Sequence, residues 1–79
     1  MGRDKTVSKM ERAYRGLRMS RGRAGKVLRW LRTTNKEGWS DREALMAGEV
    51  SGYVESALRC LDMAEGFLSG LMTTFKSKR

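Results

Sequence analysis

The stretch Ser20–Trp30, SRGRAGKVLRW, decides how the first half of this chain folds. Gly22 and Gly25 stand there among Arg21, Arg23, Lys26 and Arg29, a mixture found both in loops that grip phosphate and in soft helices. Apolar register separates the two readings. Met10, Leu17, Ala24 and Leu31 recur every seven residues, Tyr14 and Leu28 fill the intervening positions, and Ala13 and Val27 widen the stripe. A loop at 20–25 would shift that register, yet Leu17 and Ala24 stay in phase. The spacing predicts one basic helix over 6–33. Each interior glycine costs about 1 kcal/mol relative to alanine, so its centre is its soft point. A competing reading, a separate helix capped by Ser20, lacks the glutamate three residues on that a capping box uses.

The clearest punctuation follows at TTNKEGWSDRE, Thr33–Glu43. Asn35 and Gly38 stop the first helix. Ser40 and Glu43 have the spacing of a capping box, and Asp41 adds negative charge at the positive end of a new helix. In that helix Ala47, Val50, Val54, Ala57, Leu61, Ala64, Leu68, Leu71 and Phe75 alternate spacings of three and four, a coiled-coil-like seam. Tyr53, Cys60, Phe67 and Met72 widen it beyond what one thin helical stripe can cover. The fold expected is all-α: a long αα-hairpin that dimerises into an antiparallel four-helix bundle. Its parts are a flexible N-terminus (1–5), the basic helix (6–33), a loop (34–39), the second helix (40–75) and a basic tail (76–79). The core and dimer seam is read as Leu17, Leu28, Leu31, Val54, Leu61, Leu68 and Leu71. A chain of 79 residues with a single cysteine has no internal disulfide to support a marginal core, which also favours self-association.

Arg21 falls on the apolar seam of helix one. An unpaired guanidinium there would be costly, so it is expected to snorkel outward or to pair with an acid such as Glu49 or Glu65. Asp62 and Glu65 share a helix face, with Arg59 as the simplest partner. Cys60 reads as a small buried hydrophobe. The glycine pairs Gly48/Gly52 and Gly66/Gly70 allow close helix packing or are merely tolerated.

Chemistry finds little support. There is no histidine to serve as base or ligand, and no second cysteine, so neither a metal nor another cofactor is expected. A P-loop needs Ser or Thr after Gly-Lys and an earlier glycine; here Val27 follows Lys26, and Ser20 holds the glycine position. The GRAG of a KH loop would need strands, and none is expected. The chain reads as non-enzymatic. No signal peptide and no span of ~18 apolar residues is visible, so a soluble, cytoplasmic protein is expected.

Charge is the informative feature. Residues 1–36 carry 12 Lys+Arg against 2 Asp+Glu, while residues 37–79 carry 5 against 7, which accounts for the net +8. On a continuous helix Arg12, Arg15, Arg18, Arg23, Lys26 and Arg29 spread over the side opposite Leu17 and Leu28, with Trp30 and Met19 among them. Arginine forks bind phosphate and an exposed tryptophan suits base stacking, so nucleic acid, DNA or RNA, is the partner expected first. Trp30 alternatively packs on the loop, on Trp39 or on a second copy. The second class of function is a regulatory adaptor or inhibitor that docks this basic, tryptophan-bearing face on an acidic protein surface. Peripheral binding to an anionic membrane is third, because helix two is expected to occupy the apolar stripe such binding would use.

Overall fold

In the computed structural model, residues 2–77 are described, with side chains from Asp4 onward. Two helices account for nearly all of them, α1 (Gly2–Thr33) and α2 (Asp41–Ser77), antiparallel in a single hairpin. Helix α1 passes through Gly22 and Gly25 without a break, so the Ser20–Trp30 stretch is helical. It begins ahead of the expected residue 6, which puts residues 2–5 in the helix. Helix α2 runs past Phe75 to Ser77. Met1 of the expected N-terminal segment and Lys78 and Arg79 of the expected tail lie outside the described residues. The hairpin is a rod of 60 × 15 × 14 Å with a radius of gyration of 18.0 Å. A compact chain of this length would have a radius of about 12 Å.

The connection is built from local chemistry. The Lys36 ammonium donates to the Leu31 carbonyl at the end of α1. Asn35 Oδ1 accepts from the Glu37 amide at 2.9 Å, and the Trp39 amide donates to the Lys36 carbonyl at 3.1 Å. Within that Lys36–Trp39 turn, Gly38 has φ +85°, and no other residue type has a positive φ among the described residues. This is the type II pattern, in which the third residue must enter the left-handed region that glycine occupies without strain. Lys36 also lies 5.9 Å from the centre of the Trp39 ring, a cation–π distance that folds the loop onto itself. Helix α2 then starts with a reciprocal cap. Glu43 Oε1 accepts from the Ser40 amide at 2.8 Å, and Ser40 Oγ accepts from the Glu43 amide at 3.1 Å.

Along α1 the inward side is Met10, Tyr14, Leu17, Arg21, Ala24, Leu28 and Leu31, all buried or half-buried. That is the stripe read from the sequence, Arg21 included. Helix α2 departs from expectation. Ala47, Val54, Leu61, Leu68 and Phe75 face α1, but the positions between them are Ser51, Leu58, Glu65 and Met72. Val50, Ala57 and Leu71 are exposed instead, Leu71 by 46%, and the half-buried Ala64 lies beside the seam. Leu71 therefore does not belong to the hairpin core, where Met72 takes its place. The reason is that α2 carries apolar residues on two neighbouring stripes, and α1 has room for one. Choosing the stripe with Leu58 and Met72 also brings Glu65 onto Arg21.

Cys60 is exposed in the hairpin and not buried, because it lies on the stripe α1 leaves uncovered. A Cβ added at Gly48, Gly52, Gly66 or Gly70 would meet nothing within 4 Å, so these pairs mediate no close packing inside the hairpin. The core is thin. Leu28, Leu31 and Ala47 are its buried apolar side chains, and no described side chain is below 2% exposure.

These features predict opposite outcomes for three glycines. Gly22→Ala and Gly25→Ala meet open space on a regular helix, so each should stabilise by up to about 1 kcal/mol, raising Tm by roughly 4–8 °C. Gly38→Ala should lower stability by about 1–2 kcal/mol, because alanine is strained at positive φ; thermal unfolding followed by circular dichroism checks all three. The cap adds a pH test. The Ser40 amide, and after it the Ser40 hydroxyl, holds the Glu43 carboxyl below the usual glutamate range. A lowered folded-state pKa contributes stability above the unfolded value and loses it as the pH falls through the folded one. Glu43→Gln keeps an acceptor for the cap and removes the titration. Its Tm should accordingly decline less than the parent's on acidification below the normal glutamate range.

Candidate nucleic-acid interface

Helix α1 sorts its cations by the seam it makes with α2. At about 100° per residue, a residue two places after a seam position, as Arg12 is after Met10 and Lys26 after Ala24, lies about 160° round the helix from it. Arg12 and Lys26 consequently project farthest from α2, flanked by Arg15 and Arg29 on one side and by Arg23 and Trp30 on the other. All six of these side chains are exposed, Trp30 by 56%. Met19 shares the outer side and is also exposed. The sequence placed these residues on one surface, and the hairpin presents them together along about 26 Å of helix, at 1.5 Å per residue from Arg12 to Arg29.

Arg18 stands apart. It lies at the edge of the seam and lines an open groove between the helices, of about 640 Å³, with Arg21, Gly22, Gly25, Leu58, Arg59 and Asp62. The two glycines have no side chain to fill the trough, so they act as its floor. Arg59 is the cation that sequence reasoning missed. Spacing along α2 alone makes it the partner of Asp62 and Glu65, whereas the structure gives both of those acids to Arg21. Arg59 is left in the groove wall without an ion-pair partner among the described residues. Only the register between helices could reveal this, since Arg18 and Arg59 are 41 positions apart.

Two arginines of α1 are removed from the free set. Arg21 Nε lies 2.7 Å from Glu65 Oε2, and its NH1 donates to Asp62 Oδ1 at 3.3 Å. The Nε contact is an ion pair whose N–H direction misses hydrogen-bond alignment, leaving the Glu65 oxygen without a hydrogen bond. The expected pairing of Arg21 with an acid is thus seen at Glu65, not Glu49. Arg32 pairs with Glu55. Arg12, Arg15, Arg18, Arg23, Lys26 and Arg29 make no ion pair among the described residues. The acids of α2 therefore neutralise the inner edge of α1 and leave its outer face fully charged.

Trp30 makes no ring contact with Trp39 among the described residues; the Trp39 ring instead receives Lys36. No group of three His, Cys, Asp or Glu residues that could hold a metal ion occurs among the described residues. No helix there is long and apolar enough to cross a membrane. Compared with protein-family models, with curated proteins and with solved structures, the chain matches none.

The Arg21–Glu65 contact predicts a thermodynamic cycle. The Glu65 side chain is 8% exposed and that of Arg21 41%. Arg21→Leu strands a buried carboxylate and should cost about 2–3 kcal/mol, below the range for a fully buried pair because half of Arg21 faces water. Adding Glu65→Leu should restore stability to the parent value or above it, since an apolar pair would continue the seam. Urea unfolding of the four proteins measures the coupling.

Proposed function

We propose that this chain is a small, non-enzymatic, cytoplasmic protein that binds nucleic acid through phosphate contacts from the outer face of α1. The carrying observation is the set of six exposed cations, Arg12, Arg15, Arg18, Arg23, Lys26 and Arg29, none with an acidic partner among the described residues. Such a set attracts a polyanion, because each phosphate it neutralises releases condensed counterions. Arginine supplies five of the six, and its planar fork matches phosphate oxygens in pairs. Phosphate contacts position a protein without reading sequence. Trp30, exposed beside Arg23 and Lys26, adds a ring on which an unpaired base can stack. In this reading the hairpin works as a homodimer, with two such faces turned outward.

The test is fluorescence anisotropy of labelled duplex DNA, single-stranded DNA and RNA across a salt series. Five or more phosphate contacts on duplex give a log–log slope of about −4.5 or steeper. Arg15→Ala should weaken binding to every sequence and reduce the magnitude of the slope by about 1. Trp30→Ala should weaken single-stranded ligands by about 1–3 kcal/mol if the ring stacks and spare duplex. Weak, salt-insensitive binding to all three ligands would overturn the proposal and assign the same cations to an acidic protein surface.

A further inference from the structure

Helix α2 carries a second apolar seam that α1 does not cover. Met46, Val50 and Tyr53, then Ala57, Cys60 and Ala64, then Phe67 and Leu71 alternate steps of four and three along the helix. Each lies one residue before a position that faces α1, about 100° round the helix from it. No charged residue occupies any of these eight positions. Tyr53 and Phe67 are 77% and 75% exposed, and Met46, Val50 and Leu71 are also among the exposed large apolar side chains. A repeat of 3.5 residues is the spacing that keeps one helix against another. The neighbouring edge of α1 continues the uncharged surface with Ala13, Ser20 and Val27. The opposite edge of the hairpin is where Arg32 meets Glu55 and Arg21 meets Asp62.

Size and symmetry both identify the occupant. A compact 9.0 kDa protein exposes about 4,900 Å²; this hairpin exposes 6429 Å². The surplus of about 1,500 Å² exceeds the roughly 800 Å² per partner of a standard interface. The seam is also nearly a palindrome in size. Tyr53 and Phe67 each lie seven residues from Cys60, and Val50 and Leu71 lie equally far outside Ala57 and Ala64. A two-fold axis needs a self-complementary patch, and this one places large side chains on large and small on small.

We infer that the occupant is a second copy of this chain, with the two α2 helices packed antiparallel about a two-fold axis beside Cys60. The inference rests on the dimeric part of the proposed function and gives that dimer its interface and register. Tyr53 of each copy packs on Phe67 of the other, and Val50 packs on Leu71. The small waist of Ala57, Cys60 and Ala64 lets the helices approach. Arg12, Arg15, Lys26 and Arg29 stay outside the contact.

Sedimentation equilibrium of the full chain and thiol cross-linking test this together. Diamide takes up two electrons and two protons and joins two thiols as a disulfide. Cys60 should cross-link rapidly to its counterpart. A control chain with Cys60→Ser and Met63→Cys, whose thiol sits off the seam, should cross-link at least tenfold more slowly. Phe67→Arg should give a monomer with unchanged helical circular dichroism, because Phe67 supports nothing inside the hairpin; Leu45→Arg, exposed but off the seam, should remain dimeric. A parent chain monomeric at 100 µM would overturn the interface and the dimeric reading with it. A dimer indifferent to Phe67→Arg, with no preference for Cys60 in cross-linking, would overturn this interface alone.

Discussion

Arg21 and Glu65 meet in the middle of a seam that is otherwise apolar, and the rest of the hairpin takes its register from them. Once Arg21 is set on Glu65, an antiparallel pair of helices has no freedom to slide: Tyr14 comes level with Met72, Leu28 with Leu58 and Leu31 with Val54. Each apolar seam residue alone is compatible with several neighbours one turn apart, since leucine recurs along both seams and apolar contact is not directional. A charge buried on one helix tolerates only the alignment that supplies its counter-charge. Asp62, one turn before Glu65 on the same helix, completes the reception of the guanidinium at the exposed edge. Arg32 and Glu55 repeat the pairing nearer the loop, along the same edge.

That alignment also decides which charges remain for a partner. The acids of α2 that face α1 are spent on Arg21 and Arg32, the two arginines nearest the contact. The outer cations make no ion pair among the described residues, and Glu11 is the one acid of α1 beside them. The hairpin thereby segregates charge more sharply than composition does, with Arg21 and Arg32 neutralised on the inner edge and a predominantly basic outer surface. The groove over Gly22 and Gly25 breaks the simple picture of a single face, because it joins Arg18 of α1 to Arg59 of α2. The glycines that looked like a candidate phosphate loop have a different structural consequence: they leave the helix intact and its surface hollow.

Much of this was legible residue by residue. The α1 stripe from Met10 to Leu31 follows from period alone, because only one side of that helix is apolar and the other is crowded with arginine. The Ser40–Glu43 cap follows from two side chains three residues apart, and a hydrogen-bonded cap needs no distant contact. Helix α2 was legible as a helix but not as a surface. Its apolar residues occupy two stripes of equal regularity, and the one with more aromatic side chains faces solvent in the hairpin. Ser51 and Glu65 disguised the stripe that faces α1, since polar residues count against a core position until their partners are known. For the same reason spacing alone pairs Arg59 with acids that Arg21 takes.

By itself the sequence determined the two helices, their limits near the loop, the inward side of α1 and the outward array of cations. These depend on interactions within a turn or two of one helix, or on a contrast between polar and apolar sides that a single period expresses. Only the tertiary structure decided which stripe of α2 meets α1, which acids neutralise which arginines, and that Tyr53, Cys60 and Phe67 are left uncovered. Those outcomes depend on register between segments some forty residues apart. That register is marked by the charged contacts across the seam, Arg21 with Glu65 and Asp62 and Arg32 with Glu55, whose energy appears only when both helices are present.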